Sequence, residues 1–136
     1  MGEINALDIN DIDFTNKLIH IRRTITRGLD ERAMIGSYTK TKTGTRDIIM
    51  DNHVEHILKE YLSSTYYQEN ELHLLFCNSK KQCISTDTSN MMFKCLCEQY
   101  SIGKGYKLHQ HMLRHTFATR CIESGMPASV LAKIMG

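Results

Sequence analysis

The stretch DNHVEHILKEYL, residues 51–62, is where the sequence pattern changes from strands to helices. Its apolar side chains recur at i, i+3, i+4, i+7 and i+8, the spacing of one buried helix face. These side chains are Val54, Ile57, Leu58, Tyr61 and Leu62. Asp51 precedes them, and its carboxylate is suited to accept the free N–H groups of a first helical turn. We therefore predict a helix that begins just after Asp51.

The residues before this helix are typical of short β-strands. A short helical segment at 2–7 and an aspartate-rich loop come first, and residues 17–25 then carry β-branched side chains two positions apart. Residues 35–41 and 46–50 have the same character, with a Thr-Gly turn at 43–44 between them. We predict an antiparallel sheet of three strands from these segments.

Three further helices are predicted after residue 62. One begins near Thr88 and ends before Gly103, one covers residues 111–124 and is closed by Gly125, and the last follows Pro127. The predicted fold class is therefore α+β and mainly helical, with a small three-stranded antiparallel sheet packed with a helical bundle. We expect residues 1–136 to form a single domain.

The composition is that of an ordinary soluble globular domain. The chain has 136 residues, of which 41% are hydrophobic and 24% charged, and its 17 basic and 15 acidic residues give a net charge of +2. No apolar run approaches the length of a membrane span, and the odd number of five cysteines favours reduced thiols and an intracellular protein. A small net charge does not exclude a nucleic-acid partner, because the clustering of cations on one face is what such binding requires.

The predicted hairpin at residues 39–46 is one of two segments that concentrate functional groups. It places Lys40, Lys42 and Arg46 around a tight turn, and their alternation lets them project from one side of a two-stranded ribbon. Such cations can contact phosphates along a nucleic-acid groove. The alternative interpretation is a solvated hairpin whose lysines protect an edge strand.

The second segment is HMLRHTFAT, residues 111–119. On a helix, His111 and Arg114 are neighbours at i and i+3, and this pair is suited to binding a phosphate. We expect the opposite face of the helix to point into the core. That side is formed by Leu113, Phe117 and Cys121. The alternative interpretation is that His111 and Arg114 are ordinary surface residues. His111 and His115 at i, i+4 also suggest a metal site, but the glutamate of the HExxH pattern is absent, so we expect no metal.

Residues 111–119 resemble the second conserved box of the tyrosine recombinases, the phage-type integrases. Three more segments are similar to that family in the same order along the chain. Residues 2–14 resemble its GExxxLxxxDID stretch, residues 40–48 its KTxxSxR stretch, and residues 125–136 the helix that leads to its LGH box.

The resemblance implies DNA strand cleavage and rejoining through a 3′-phosphotyrosine, without metal or cofactor. Arg114 would bind the scissile phosphate, and His111 would accept a proton or donate a hydrogen bond there. Lys40, with Lys42 as the alternative, would protonate the leaving 5′-oxygen, and Lys42 and Arg46 would contact DNA. Glu3 would be a supporting residue.

The family further implies a double-stranded DNA attachment site, a tetrameric synaptic complex in the full enzyme and no membrane. We expect a cytoplasmic protein of a bacterium, phage or mobile element, with His115 packed behind Arg114.

Three of the family's catalytic positions have no match here. Its first arginine would fall just before Met1 and its third-box histidine just after Gly136, and none of the six tyrosines has the context of the nucleophile. We therefore expect this chain to be catalytically incomplete. The alternative function is that of a non-catalytic, DNA-binding remnant of an integrase.

Overall fold

The structure, a computed structural model, describes residues 1–28, 32–36, 45–103 and 105–136. Within these ranges the order is one short α-helix, a 3-10 helix at Ile9–Asp11, five short strands and then four longer α-helices. The predicted α+β class, mainly helical with a small antiparallel sheet, is confirmed. In the described part of the chain, no helix combines the length and the apolar character needed to cross a bilayer.

The strands form two separate antiparallel units rather than the single sheet that we predicted. Strands β1 (Ile12–Asp13), β2 (Leu18–Ile21) and β5 (Arg46–Ile49) make one sheet in the order β1-β2-β5. In the described ranges, strands β3 (Thr24–Arg27) and β4 (Ala33–Gly36) pair only with each other. The central strand β2 therefore hydrogen-bonds along both of its edges.

The predicted strand at residues 17–25 divides because two arginines interrupt it. Arg23 Nη2 donates to Asp8 Oδ2 at 3.0 Å, and Arg22 Nη1 lies 3.7 Å from Asp11 Oδ1. These ion pairs with the aspartate-rich loop separate β2 from β3, so the two halves enter different sheets. The segment predicted at 35–41 begins earlier, at Ala33, while residues 37–41 and the turn at 43–44 lie outside the described residues.

The helices are close to their predicted positions, since local capping determines where they begin. Asp51 accepts the backbone N–H of Val54 at 2.8 Å, which confirms the predicted cap, and Ser85 starts the next helix earlier than predicted by accepting the N–H of Thr88 at 3.1 Å. Gly125 has φ +84° just after the fourth helix, as a C-terminal glycine requires. The helices are α1 (Gly2–Asn5), α2 (Asn52–Ser63), α3 (Thr86–Gln99), α4 (His111–Glu123) and α5 (Ala128–Met135).

The main hydrophobic core lies between the three-stranded sheet and α2. Its buried residues are Leu7, Ile12, Ile21, Met50, Leu58 and Leu75. Helix α4 is not part of this core, and here our prediction was wrong for two of three residues. Leu113 is 57% and Phe117 47% exposed, and only Cys121 is buried.

A buried polar cluster joins α1 to α3 and α4. Asn5 Nδ2 donates to Ser89 Oγ at 2.8 Å and to the carbonyl of Ile84 at 3.0 Å. Gln110, directly before α4, donates from Nε2 to the carbonyl of Ser89 at 2.7 Å. Pairing stabilises these buried donors, whereas Gln110 Oε1 is buried with no hydrogen-bond partner among the described residues. The cluster therefore holds the beginning of α4 close to the end of α1.

Candidate functional site

Arg46 lies where α1, β5 and α5 meet. Its Nη1 and Nη2 each donate to one carboxylate oxygen of Glu3 at 2.8 Å, and its Nε donates to the carbonyl of Ile134 at 2.8 Å. The Arg46 side chain is 11% exposed and that of Glu3 30% exposed. This two-pronged geometry is the strong form of an arginine–carboxylate pair. It joins residues that are far apart in the sequence.

The end of α5 lies directly against this guanidinium. A Cβ at Gly136 would be 2.8 Å from Arg46 Nη1 and 3.1 Å from Cζ, and Gly136 has φ +77°. Both the close approach and the positive φ favour glycine at this position. Because residue 136 is a glycine without a Cβ, the end of α5 can contact the Arg46 guanidinium.

Arg114 also contacts this helix end. Its Nη2 donates to the carbonyl of Met135 at 2.6 Å and to that of Gly136 at 3.3 Å. The last carbonyls of a helix lack helical partners and carry partial negative charge, so two guanidinium groups stabilise them. Among the described residues, Arg114 Nε and Nη1 make no hydrogen bond, which leaves two donor nitrogens of a fixed guanidinium for a ligand.

Glu3 is held in its charged form by these arginines. The hydrogen bonds from Arg46 keep the pKa of the Glu3 carboxyl below its ordinary value, against the opposing effect of partial burial. The charges of Arg46 and, more weakly, of Arg114 act in the same direction. The site therefore combines one partly buried carboxylate with two guanidinium groups.

His111 begins α4 three residues before Arg114, as predicted from their spacing, and its ring is exposed. The rings of His111 and His115 meet edge to face with centroids 5.1 Å apart. His115 is itself exposed, so the prediction that it packs behind Arg114 was wrong. The reason is the i, i+4 spacing, which puts both imidazoles on one helix face.

Lys40 and Lys42 lie outside the described residues, so their roles stay predictions. The prediction that Arg46 contacts DNA also stays untested, although its pairing with Glu3 favours a different role. Within the described ranges, no group of three or more histidine, cysteine, aspartate or glutamate side chains could hold a metal ion.

The sequence did not indicate the partner of Glu3 or the contacts of the two arginines with α5. We expected Glu3 to be a supporting residue, but its partner Arg46 is 43 positions away. The acceptors on α5 are backbone carbonyls, which every residue has, so the residue types do not reveal these contacts.

Comparisons with known proteins agree with the fold. The phage integrase family matches residues 1–136. The chain is 30% identical over 150 aligned residues to the transposase from transposon Tn916 of Enterococcus faecalis, covering 100% of this chain and 35% of the transposase. It is 27% identical over 154 aligned residues to a XerC-like tyrosine recombinase of Caldanaerobacter subterraneus subsp. tengcongensis, covering 99% of this chain and 38% of the recombinase.

Solved structures with the same fold include a transposon integrase and a recombinase. The Tn1549 transposon integrase, in complex with a circular intermediate DNA, has a TM-score of 0.80 at 24% identity, over 99% of this chain and 45% of the integrase. The XerA recombinase has a TM-score of 0.76 at 24% identity, over 99% of this chain and 43% of the recombinase. This chain therefore spans less than half the length of each of these proteins.

Proposed function

Since this chain belongs to the phage integrase family, we propose that it binds the scissile phosphate of double-stranded DNA in a tyrosine-type site-specific recombinase. The observation that carries this proposal is Arg114. Hydrogen bonds from Nη2 to the α5 carbonyls fix its guanidinium. Arg114 itself lies on α4, the helix that begins with the exposed His111. A fixed guanidinium with two available donor nitrogens is suited to two phosphate oxygens.

In the proposed reaction, a tyrosine oxygen attacks phosphorus, and the bond from phosphorus to the 5′-oxygen breaks. Arg114 neutralises the charge that develops on the non-bridging oxygens. His111 accepts a proton or donates a hydrogen bond at the same phosphate, and Lys40, or alternatively Lys42, gives a proton to the leaving 5′-oxygen. The phosphotyrosine conserves the bond energy, so rejoining needs no external energy source.

We infer that the attacking tyrosine is none of the six in this chain. Tyr61 donates its hydroxyl to the carbonyl of Leu75 at 3.2 Å and packs on Phe76. Burial raises the pKa of the Tyr61 and Tyr67 phenols, which favours the neutral form over a nucleophilic phenolate. Tyr38, Tyr66, Tyr100 and Tyr106 lack the family's sequence context.

We propose for the whole protein an attachment site in double-stranded DNA, a tetrameric synaptic complex and a cytoplasmic location. The bacterial transposon origin of the Tn916 transposase supports a mobile-element role, and the Tn1549 integrase bound to circular intermediate DNA supports the DNA partner. DNA binding without cleavage is the second candidate function, and the absence of a matching tyrosine context supports it.

DNA binding by the Arg114→Ala variant tests the proposed phosphate contact. We expect fluorescence anisotropy with a labelled duplex to show weaker binding, and the slope of log K against log salt to fall by about one, because one phosphate contact is lost. Lys59→Ala is the matched control, since Lys59 is an exposed cation that pairs with Glu55 on α2. Equal effects of the two substitutions on affinity and slope would contradict the proposal.

A further inference from the structure

We propose that Arg46 is a positioning residue, which together with Glu3 fixes the end of α5 and thereby the orientation of the Arg114 guanidinium. This inference rests on the proposed function, because it assigns to Arg46 a role in presenting Arg114 to a phosphate. It replaces the DNA contact that the sequence predicts for Arg46.

The first step is the series of direct contacts from Glu3 to Arg114. Arg46 binds Glu3 on α1 through two hydrogen bonds of 2.8 Å and the Ile134 carbonyl of α5 through a third. The next carbonyl of α5, that of Met135, accepts from Arg114 at 2.6 Å. Adjacent carbonyls of one helical turn thus bind the two arginines, so a shift of α5 moves the acceptor of Arg114.

The second step is the commitment of the Arg46 guanidinium to these partners. Both of its terminal nitrogens face the Glu3 carboxylate, and the side chain is 11% exposed. To bind Arg46, a DNA phosphate would have to displace a charged carboxylate that already accepts bidentate hydrogen bonds from the guanidinium. Gly136 also approaches Arg46 so closely that a Cβ would lie 2.8 Å from Nη1, which restricts movement of the guanidinium.

The test compares Glu3→Gln and Arg46→Lys with Arg114→Ala in the duplex-binding assay. The two roles of Arg46 predict opposite signs for Glu3→Gln. If Arg46 contacts DNA, Glu3→Gln releases Arg46 from its carboxylate partner, and the variant binds DNA more tightly. As a positioning residue, Arg46 loses its partner, Arg114 loses its orientation and DNA binds about fivefold more weakly, although the variant has lost a negative charge.

Arg46→Lys provides the second comparison. Lysine keeps the charge and would serve on a phosphate, but it cannot bind two carboxylate oxygens and a carbonyl with the geometry of a guanidinium. We expect Arg46→Lys to weaken binding, and Glu3→Gln to add no further loss when combined with Arg114→Ala. Glu55→Gln is the matched control. Glu55 is likewise ion-paired, in its case with two lysines, and its substitution changes the net charge by the same amount as Glu3→Gln.

The Nε–Hε resonance of Arg114 in nitrogen-15 NMR spectra gives a readout that needs no DNA. We expect it to shift in Glu3→Gln and not in Glu55→Gln, at a temperature where circular dichroism shows both variants folded. Unchanged or tighter DNA binding by Glu3→Gln, or wild-type binding by Arg46→Lys, would overturn the inference. If Arg114→Ala itself has no effect on binding, the proposed function fails; if only Glu3→Gln has none, the role of Arg46 alone fails.

Discussion

Glu3 links its charge state to the stability of the folded chain. Hydrogen bonds from Arg46 lower the pKa of the Glu3 carboxyl from its usual 4.5 in the folded state. A carboxyl whose folded pKa is depressed contributes stability that is present above the unfolded pKa, and that is lost as the pH falls through the folded pKa. The pair with Arg46 therefore stabilises the fold at neutral pH and not in strong acid.

Urea unfolding of wild type and Glu3→Gln as a function of pH measures this contribution. At pH 7 we expect the variant to be less stable by about 1 to 3 kcal/mol, since it leaves a partly buried guanidinium without its carboxylate. The difference should shrink as the pH falls below about 4.5, because protonation then removes the same charge from the wild type. Asp13 and Glu55 also have lowered pKa values, but both remain in the variant and cancel in the difference. A difference that does not vary with pH would contradict this assignment.

Buried hydrogen bonds connect α1, α3 and the beginning of α4. Asn5 and Gln110 are buried, and each donates to the buried Ser89. Leu113 and Phe117 on α4 are exposed. Hydrogen bonds in a buried cluster depend strongly on direction, so they orient helices more sharply than apolar contacts. The position of α4, and with it that of Arg114, therefore depends on this cluster.

Asn5→Ala should destabilise the chain by about 2 kcal/mol, because it leaves the Ile84 carbonyl and Ser89 hydroxyl without their donor. Asn90→Ala provides the matched control on α3, where the Asn90 side chain is exposed, and its effect should stay within about 0.5 kcal/mol. Thermal unfolding followed by circular dichroism measures both. Equal melting temperatures for the two variants would show that the cluster does not support the helices.

For the whole molecule, the proposed function depends on which of the proposed catalytic groups this chain contains. The phosphate-binding residues that we propose, His111 and Arg114, lie on α4, while the tyrosines fall outside the nucleophile's context. We therefore propose that DNA binding and DNA cleavage are separable in this polypeptide.

A nicked suicide duplex, which traps a phosphotyrosine by losing the leaving strand, tests that separation. We expect the 136-residue chain to bind the duplex and to form no covalent adduct on a denaturing gel. The Tn916 transposase, a longer relative, serves as the comparison on a matching nicked duplex. An adduct of this chain would show that one of its own tyrosines is the nucleophile.

The sequence by itself determined the helices and the family resemblance. The cap at Asp51, the terminal Gly125 and the HMLRHTFAT stretch are local patterns, and each depends on residues a few positions apart. These features were predicted because capping and helix periodicity act within one or two turns.

Only the tertiary structure decided the division of the strands into two sheets, the exposure of Leu113 and Phe117, and the partners of Arg46. Arg46 meets a carboxylate 43 positions away and a backbone carbonyl 88 positions away. Contacts over such separations form when whole elements pack, and a carbonyl is the same in every residue, so no sequence pattern records them.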